Sequence, residues 1–489
     1  MSDRQLIKNV TPKDFTSVTG KDAKDAVVEE VSLKYMLKLA APMIVLHISF
    51  TIMQFVDRFM VSRLGTEALA AILPAGFVSF LPASFAIGIM TSVNTFVSQS
   101  LGRGSREECS SYCWQVIYMG LVYAVLSLVI MWPFAPLIFR VMGHPSSIIG
   151  MEVTYFRIML YAQIIAVFIW SSSQFFMGIH RPIITMYAAL CAQVVNVLAN
   201  YVLIFGKFGL PAMGIAGAAW GTFAGVVVGA SIRMVFFLGG RINRDFYSRK
   251  MLQIDFDKMK DLLRVGFPAG LGLMVNVAFW GVILFGLVGR FGKEQLAATS
   301  AVFACINVSV MPVLGISTAL TASVGKAIGQ RRKDIAVKQT EICLKAGLVY
   351  MGLIGLCFLL FRSSLMAFWS SDDKVIEAGV KILIFAAVFQ VFDAATIIYS
   401  GGLRGAGDTI WLAVVSVVGA GVILGLGGVL IVVFLPAMGS IGPWIAATAC
   451  IIAEGIANMW RFKSNKWMKI DLFKRRALGL PVEIEAAAE

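Results

Sequence analysis

Charge is what this sequence has least of. Asp, Glu, Lys and Arg make up 14% of its 489 residues, where a soluble domain carries about 25%. Hydrophobic residues reach 58% and the mean hydropathy is +0.81, so the chain reads as a membrane protein with many spans. The three histidines, His47, His144 and His180, lie too far apart for a metal cluster. The seven cysteines include no Cys-x-x-Cys pair, which argues against a disulfide framework and a zinc site; Cys109 and Cys113 share a helix face and read as packing. No phosphate-binding GxxxxGK[ST] motif occurs, and no GxSxG or HExxH, so the usual ATP-driven and hydrolytic chemistries lack their residues. "LGRGSREE" at 101–108 is glycine-rich but follows no strand. Residues 1–30 are charged and have no apolar core, so they read as a cytoplasmic tail and not as a signal peptide.

Apolar runs of spanning length fall near 34–62, 66–101, 107–141, 147–179, 182–206 and 212–239. After a break they resume near 258–290, 294–329, 336–369, 376–403, 408–436 and 439–463. The expected organisation is an N-lobe of six helices over 31–240, a cytoplasmic linker at 241–257, a C-lobe of six over 258–465 and a C-terminal tail at 466–489. The formal charge of +14 does not point to nucleic acid, because the basic residues alternate between loops. Arg103 and Arg106, Arg181, Arg241 to Lys250, Arg331 to Lys333, Arg404 and Lys474 to Arg476 fall on one side. The other side holds little beyond Arg63, Arg140, Lys207, Arg290 with Lys293, and Lys374. By the positive-inside rule both termini are cytoplasmic.

The chain repeats itself. "RLGTEALAA" at 63–71 matches "RFGKEQLAA" at 290–298, and the same offset of 227 pairs Gly88 with Gly315, Thr91 with Thr318, Val97 with Val324 and Gly102 with Gly329. Pro42 and Pro268 take like places in spans 1 and 7. Six spans per half make both halves enter the membrane the same way, a parallel repeat typical of secondary transporters. The expected fold is all-α and polytopic, with about twelve transmembrane helices in two parallel-repeat six-helix lobes.

Two acids interrupt the apolar spans. Asp393 lies some ten residues from Gly402, roughly 15 Å into the membrane, where a carboxylate costs about 2.5–3.5 kcal/mol on insertion scales. Asp57 is shallower, roughly 9 Å from the level of Arg63, and Arg58 beside it keeps a surface ion pair open. Amides accompany them at Gln54, Asn94, Asn196, Asn200, Asn276 and Gln390. Carboxylates with amides suit a proton, a hard cation or a cationic substrate; single amides also serve as glue between helices. Asn196 and Asn200 share one face of span 5. Glu454, seven residues before Arg461, reads as an interfacial residue.

Three stretches, "FVDRFMVSRLGTEALAA", "VNVLANYVLIFGKFG" and "FQVFDAATIIYSGGLRGAGDT", resemble the multidrug and toxic compound extrusion (MATE) family, in particular its NorM-like branch. The likeness covers about 34–463. It implies two six-helix lobes in a V and export of bulky, often cationic and amphipathic compounds in exchange for Na⁺ or H⁺. On this resemblance Asp393 matches the cation-linked aspartate of the C-lobe, Asp57 the acid of span 1, and Asn196 with Asn200 the polar site of the N-lobe. Asn276 stands where NorM-like members often carry glutamate, and Asn200 where another branch has aspartate. The cation-coupling candidates are therefore Asp393, Asp57, Asn276 and Asn200, and Gln54, Asn196 and Gln390 are cleft candidates. No cofactor is expected beyond the coupling ion, with Na⁺ at Asp393 the one metal site in view. The expected partners are organic cations, drugs and the lipid bilayer, for a monomer in a bacterial inner membrane. The related flippases of lipid-linked saccharides supply the alternative substrate class.

Overall fold

The structure, a computed structural model, describes residues 31–473; the N-terminal tail and the basic Lys474 to Arg476 lie outside them. Among the described residues there is no strand, and twelve helices are long and apolar enough to cross a membrane. They are α1 (Leu33–Ser62), α2 (Glu67–Gly102), α3 (Arg106–Val141), α4 (Ser146–Gly178), α5 (Pro182–Phe205), α6 (Gly214–Leu238), α7 (Phe256–Gly289), α8 (Lys293–Gly329), α9 (Lys333–Leu360), α10 (Asp373–Ala406), α11 (Thr409–Phe434) and α12 (Ile441–Lys463).

Local sequence explains several ends. Ser32 caps α1 by accepting from the Tyr35 amide at 3.1 Å, and Asp255 caps α7 through the Lys258 amide at 3.0 Å, each satisfying an orphan donor of the first turn. Gly407, at φ 88°, closes α10 in the left-handed conformation that glycine tolerates best. The ninth span stops short of the expected 336–369: α9 ends at Leu360, and a separate short helix covers Arg362–Trp369. Arg362, Ser363 and Ser364 interrupt the apolar run there. Between the halves, Gly240–Phe246 forms another short helix within the linker. Two spans depart from regular α geometry, turning π-helical at Phe279–Leu284 in α7 and at Gly419–Gly427 in α11.

Each half packs mainly on itself: α5 on α6, α2 on α4 and α1 on α5 in the first, α8 on α10, α9 on α10 and α10 on α12 in the second. The halves meet through α2 with α7, α1 with α8, and α2 with α8. The repeat is visible at these seams. A Cβ on Gly88 of α2 would lie 2.4 Å from the Gly270 Cα of α7, and one on its repeat mate Gly315 would lie 2.8 Å from the Ile44 amide nitrogen of α1. Gly102 and Gly329, also repeat mates, face each other: a Cβ on either would approach the other's Cα to 3.0 Å. A residue that meets its own counterpart marks a two-fold relation between the halves.

The cores show which end is shut. At the face where α1 begins and α12 ends, here the terminal face, apolar clusters join the lobes. One sets Phe96, Tyr112 and Phe175 with Leu262, Val265 and Phe473; another sets Met36, Leu39 and Ala40 with Val313, Leu320 and Leu403. Toward the far face each lobe keeps its own cluster, Val61, Ala71, Phe139 and Phe156 in one and Leu284, Val302, Phe389 and Trp444 in the other. Apolar clusters thus join the lobes at the terminal face and stay within one lobe toward the far face, where α2 and α7 still touch at Phe77 and Gly281.

Candidate functional site

Polar side chains gather in two places, one in each lobe. In the first, α1, α5 and α6 converge. Asn200 Nδ2 donates to Asp57 Oδ1 at 2.7 Å, and Asn196 Nδ2 donates to Thr222 Oγ1 at 3.3 Å. Glycines of α6 make the fit possible: a Cβ on Gly221 would lie 2.0 Å from Asn200 Oδ1, and one on Gly225 would lie 2.9 Å from Asn196 Cβ. The amide oxygens of Asn196 and Asn200 are buried with no donor. A half-buried carboxylate beside two unused amide oxygens is a set of hard, negative ligands. Gln54, one turn before Asp57, is exposed and is not drawn into this group.

The second place lies in the other lobe, so the structure separates Asp57 and Asn200 from Asp393 and Asn276. Asp393 is 8% exposed and, with α10 running to Ala406, stands roughly 20 Å along the helix from its terminal-face end. One turn earlier, Gln390 is buried; its Nε2 donates to Ser309 Oγ at 2.7 Å while its Oε1 has no donor. Asn276, partly exposed, sits just before the π segment of α7, whose Phe279 packs against Gly425 of the π segment in α11. π-helical segments inside α-helices are frequent at functional sites.

Glu454 corrects an expectation. It is 7% exposed and lies within electrostatic reach of Asp393, not at the membrane interface. The marker for the interface was Arg461, and Arg461 is itself buried: its Nε donates to Asp408 Oδ2 at 2.7 Å, and its guanidinium lies 5.2 Å from the Trp411 ring centroid. An arginine paired inside the bundle gives no depth reference. Arg404 likewise belongs to the last turn of α10 and not to a loop, and its carbonyl accepts from Thr95 Oγ1 at 2.8 Å. Two further buried charges had no sequence signal beyond their presence in an apolar run. Arg233 of α6 is held by the carbonyls of Gly229 and Thr185 at 2.9 and 3.0 Å, and Glu152 of α4 meets His144 Nδ1 at 2.7 Å.

The family model described as MatE matches twice, over residues 42–202 and 268–428, once in each lobe. The chain belongs to the MatE family. Two matches of like span restate the internal repeat, and together they cover most of the chain. Among curated relatives, a probable multidrug resistance protein NorM of Neisseria meningitidis serogroup A is 26% identical over 433 residues, covering 88% of this chain and 93% of the relative. Another of that name from Mesorhizobium japonicum is 26% identical, covering 90% and 94%; one from Chromobacterium violaceum is 27% identical, covering 86% and 90%. A solved MATE structure in a straight conformation superposes with TM-score 0.81 at 21% identity, covering 91% of this chain and 99% of the other. A multidrug resistance MATE transporter in an outward-facing conformation does so with TM-score 0.79 at 21% identity, covering 89% and 96%. The MatE chain is thus a multi-pass membrane protein built on the fold of MATE transporters.

Proposed function

We propose that this MatE protein is a secondary active exporter of bulky, amphipathic and often cationic compounds, driven by counterflow of Na⁺ or H⁺ through alternating access. The observation that carries this reading is the pairing of a divided far face and a sealed terminal face with an acid held in each lobe, Asp57 and Asp393. A carboxylate without a basic partner in an apolar span is costly, and a bound cation offsets that cost. The sealed face carries the basic loops, which makes it cytoplasmic by charge, so the divided face opens outward. On this reading the bundle is in the state that releases an exported compound and receives the coupling ion. Binding of the ion then favours the opposite closure by its differential affinity for the two states.

Asp57 with Asn196 and Asn200 would hold a cation in the N-lobe, and Asp393 in the C-lobe. A bulky organic cation is drawn to the same acids, so ion and substrate compete and cannot both stay, which is the requirement for exchange. One chain supplies both lobes, so a monomer suffices. The relatives bearing multidrug resistance names favour drugs over lipid-linked saccharides as substrates, and a bacterial inner membrane as location.

The test is reconstitution of the purified chain into proteoliposomes loaded with a fluorescent organic cation, under separately imposed Na⁺ and pH gradients. An exporter moves the compound against its own gradient and stops when the ion gradient is collapsed. A channel or scramblase only equilibrates it, and an enzyme returns an altered compound in the mass spectrum; either outcome refutes the proposal.

A further inference from the structure

Helix α12 carries one polar stripe. Cys450, Glu454, Asn458 and Arg461 recur at three- and four-residue spacing, so they share a face, and all four are buried. The lower end is occupied, because Arg461 is bound to Asp408. The upper end is not. Glu454 Oε1 receives only the thiol of Cys450, at 3.6 Å, and Asn458 Oδ1 has no donor.

Opposite this stripe stands α10, in close backbone approach. Thr396 Oγ1 donates to the Ile451 carbonyl at 3.3 Å, and a Cβ on Gly455 would lie 3.1 Å from the Phe392 carbonyl oxygen. The neighbours of these contact residues, Glu454 and Asp393, therefore stand at one level of the same seam. Asp393 is more than nine-tenths buried, and no ion pair among the described residues includes it or Glu454. Gln390, on the same side of α10, presents a buried oxygen without a donor. The third wall is α11, which turns π-helical at Gly419. A Cβ there would lie 2.7 Å from Glu454 Oε1, so glycine leaves the room that the carboxylate fills.

Two carboxylates at one level of an apolar seam disfavour each other's charge unless a cation lies between them. The unused oxygens around them are amide oxygens, which are hard, neutral ligands. Carboxylate and amide oxygens are hard ligands, which suit H⁺ or Na⁺ and not a soft transition metal.

We propose that Glu454 is a second cation-holding carboxylate of the C-lobe, and that it and Asp393 take one monovalent cation, H⁺ or Na⁺, between them. Gln390 and Asn458 supply the neutral oxygens that border this charge. The proposal rests on the reading of Asp393 as a coupling acid and adds the partner that makes its site two-sided. Coupling is then set by a seam inside the C-lobe, between α10 and α12, whose width changes if either helix bends.

The full-length protein in detergent provides the test. Thermal unfolding and ²²Na⁺ binding are measured for the wild type, Asp393→Asn, Glu454→Gln, Glu454→Asp and the double variant Asp393→Asn/Glu454→Gln. One arm varies Na⁺ at fixed pH and ionic strength; the other varies pH without Na⁺. The unfolding midpoint without Na⁺ at the highest pH reports whether each variant folds, and Glu454→Asp serves if Glu454→Gln does not. The arm in which the wild type is stabilised identifies the cation. Asp393→Asn and Glu454→Gln should each weaken that response at least tenfold in apparent affinity. The double variant should lose no more than either single one, and Glu454→Asp should keep part of the response. A wild-type response in Glu454→Gln with loss in Asp393→Asn overturns the role of Glu454 and leaves Asp393 standing. A wild-type response in Asp393→Asn, or none in the wild type, overturns both assignments.

Discussion

Replacing Gly329 by alanine should unseal the terminal face. The Cβ would lie 2.2 Å from the Gln99 carbonyl oxygen and 3.0 Å from the Gly102 Cα. Both are backbone atoms, so no side chain can swing away. Overpacking of this kind costs about 1–3 kcal/mol, and here the cost falls on the lobe-closed state alone, because separating α2 from α8 removes the clash. Every 1.4 kcal/mol is roughly a tenfold change in an equilibrium, so the sealed population should drop by a factor of about 5 to 100 relative to the opened one. Spin labels on Glu107 and Asp334, exposed repeat mates at the starts of α3 and α9, read the separation by pulsed electron resonance. The parent should give one short distance, and Gly329→Ala should add a longer one. Gly352→Ala in α9 is the control: nothing lies within 4 Å of a Cβ there, so it should leave the distribution unchanged. A Gly329→Ala protein with the parental distribution and melting point would refute the idea that the lobes close by glycine contact.

Three more outcomes follow from the same packing. Asp57→Asn should lower transport severalfold while the protein still inserts, because the isosteric amide keeps the Asn200 contact without the charge; parental flux would support a surface ion pair with Arg58 instead. Asp408→Asn should destabilise the C-lobe by about 3–5 kcal/mol in thermal unfolding, since it strands the buried Arg461 guanidinium, and Asp408→Asn/Arg461→Met should recover most of that loss. Phe473→Ala should cost about 3–5 kcal/mol, because Phe473 packs edge-on to Phe96 with ring centroids 6.0 Å apart and lies 4.1 Å beneath Arg103; an unchanged melting point would show that the chain after α12 does not brace the N-lobe.

The twelve spans and the repeat were legible because both rest on signals that survive in one dimension. Apolar length marks a span, and a constant offset links Gly88 to Gly315 and Gly102 to Gly329. That Gly102 and Gly329 meet across the lobes was not legible, since it depends on how two helices cross. Asn196 and Asn200 announced a shared face by their spacing, but their convergence with Asp57 is tertiary. Glu454 lies deeper than its spacing from Arg461 suggests, because an arginine neutralised by a distant aspartate need not reach the headgroups. The π segments were not legible because all their residues, over six and nine positions, are apolar or glycine, so a change of helical period leaves no mark in the pattern. The ninth span is shorter than its apolar run because apolar residues continue past Phe361 into the next short helix.

The most direct test of ion-coupled exchange runs the cycle in reverse. In proteoliposomes without any ion gradient, an imposed gradient of an organic cation should drive the coupling ion in the opposite direction, because exchange between two species couples their fluxes both ways. Uptake of ²²Na⁺ and the internal pH, followed in parallel, name the ion. The account predicts counterflow of one of them in the parent and none in Asp393→Asn at equal protein incorporation. Counterflow of equal size in Asp393→Asn, or movement of the organic cation with no ion moving against it, would contradict it.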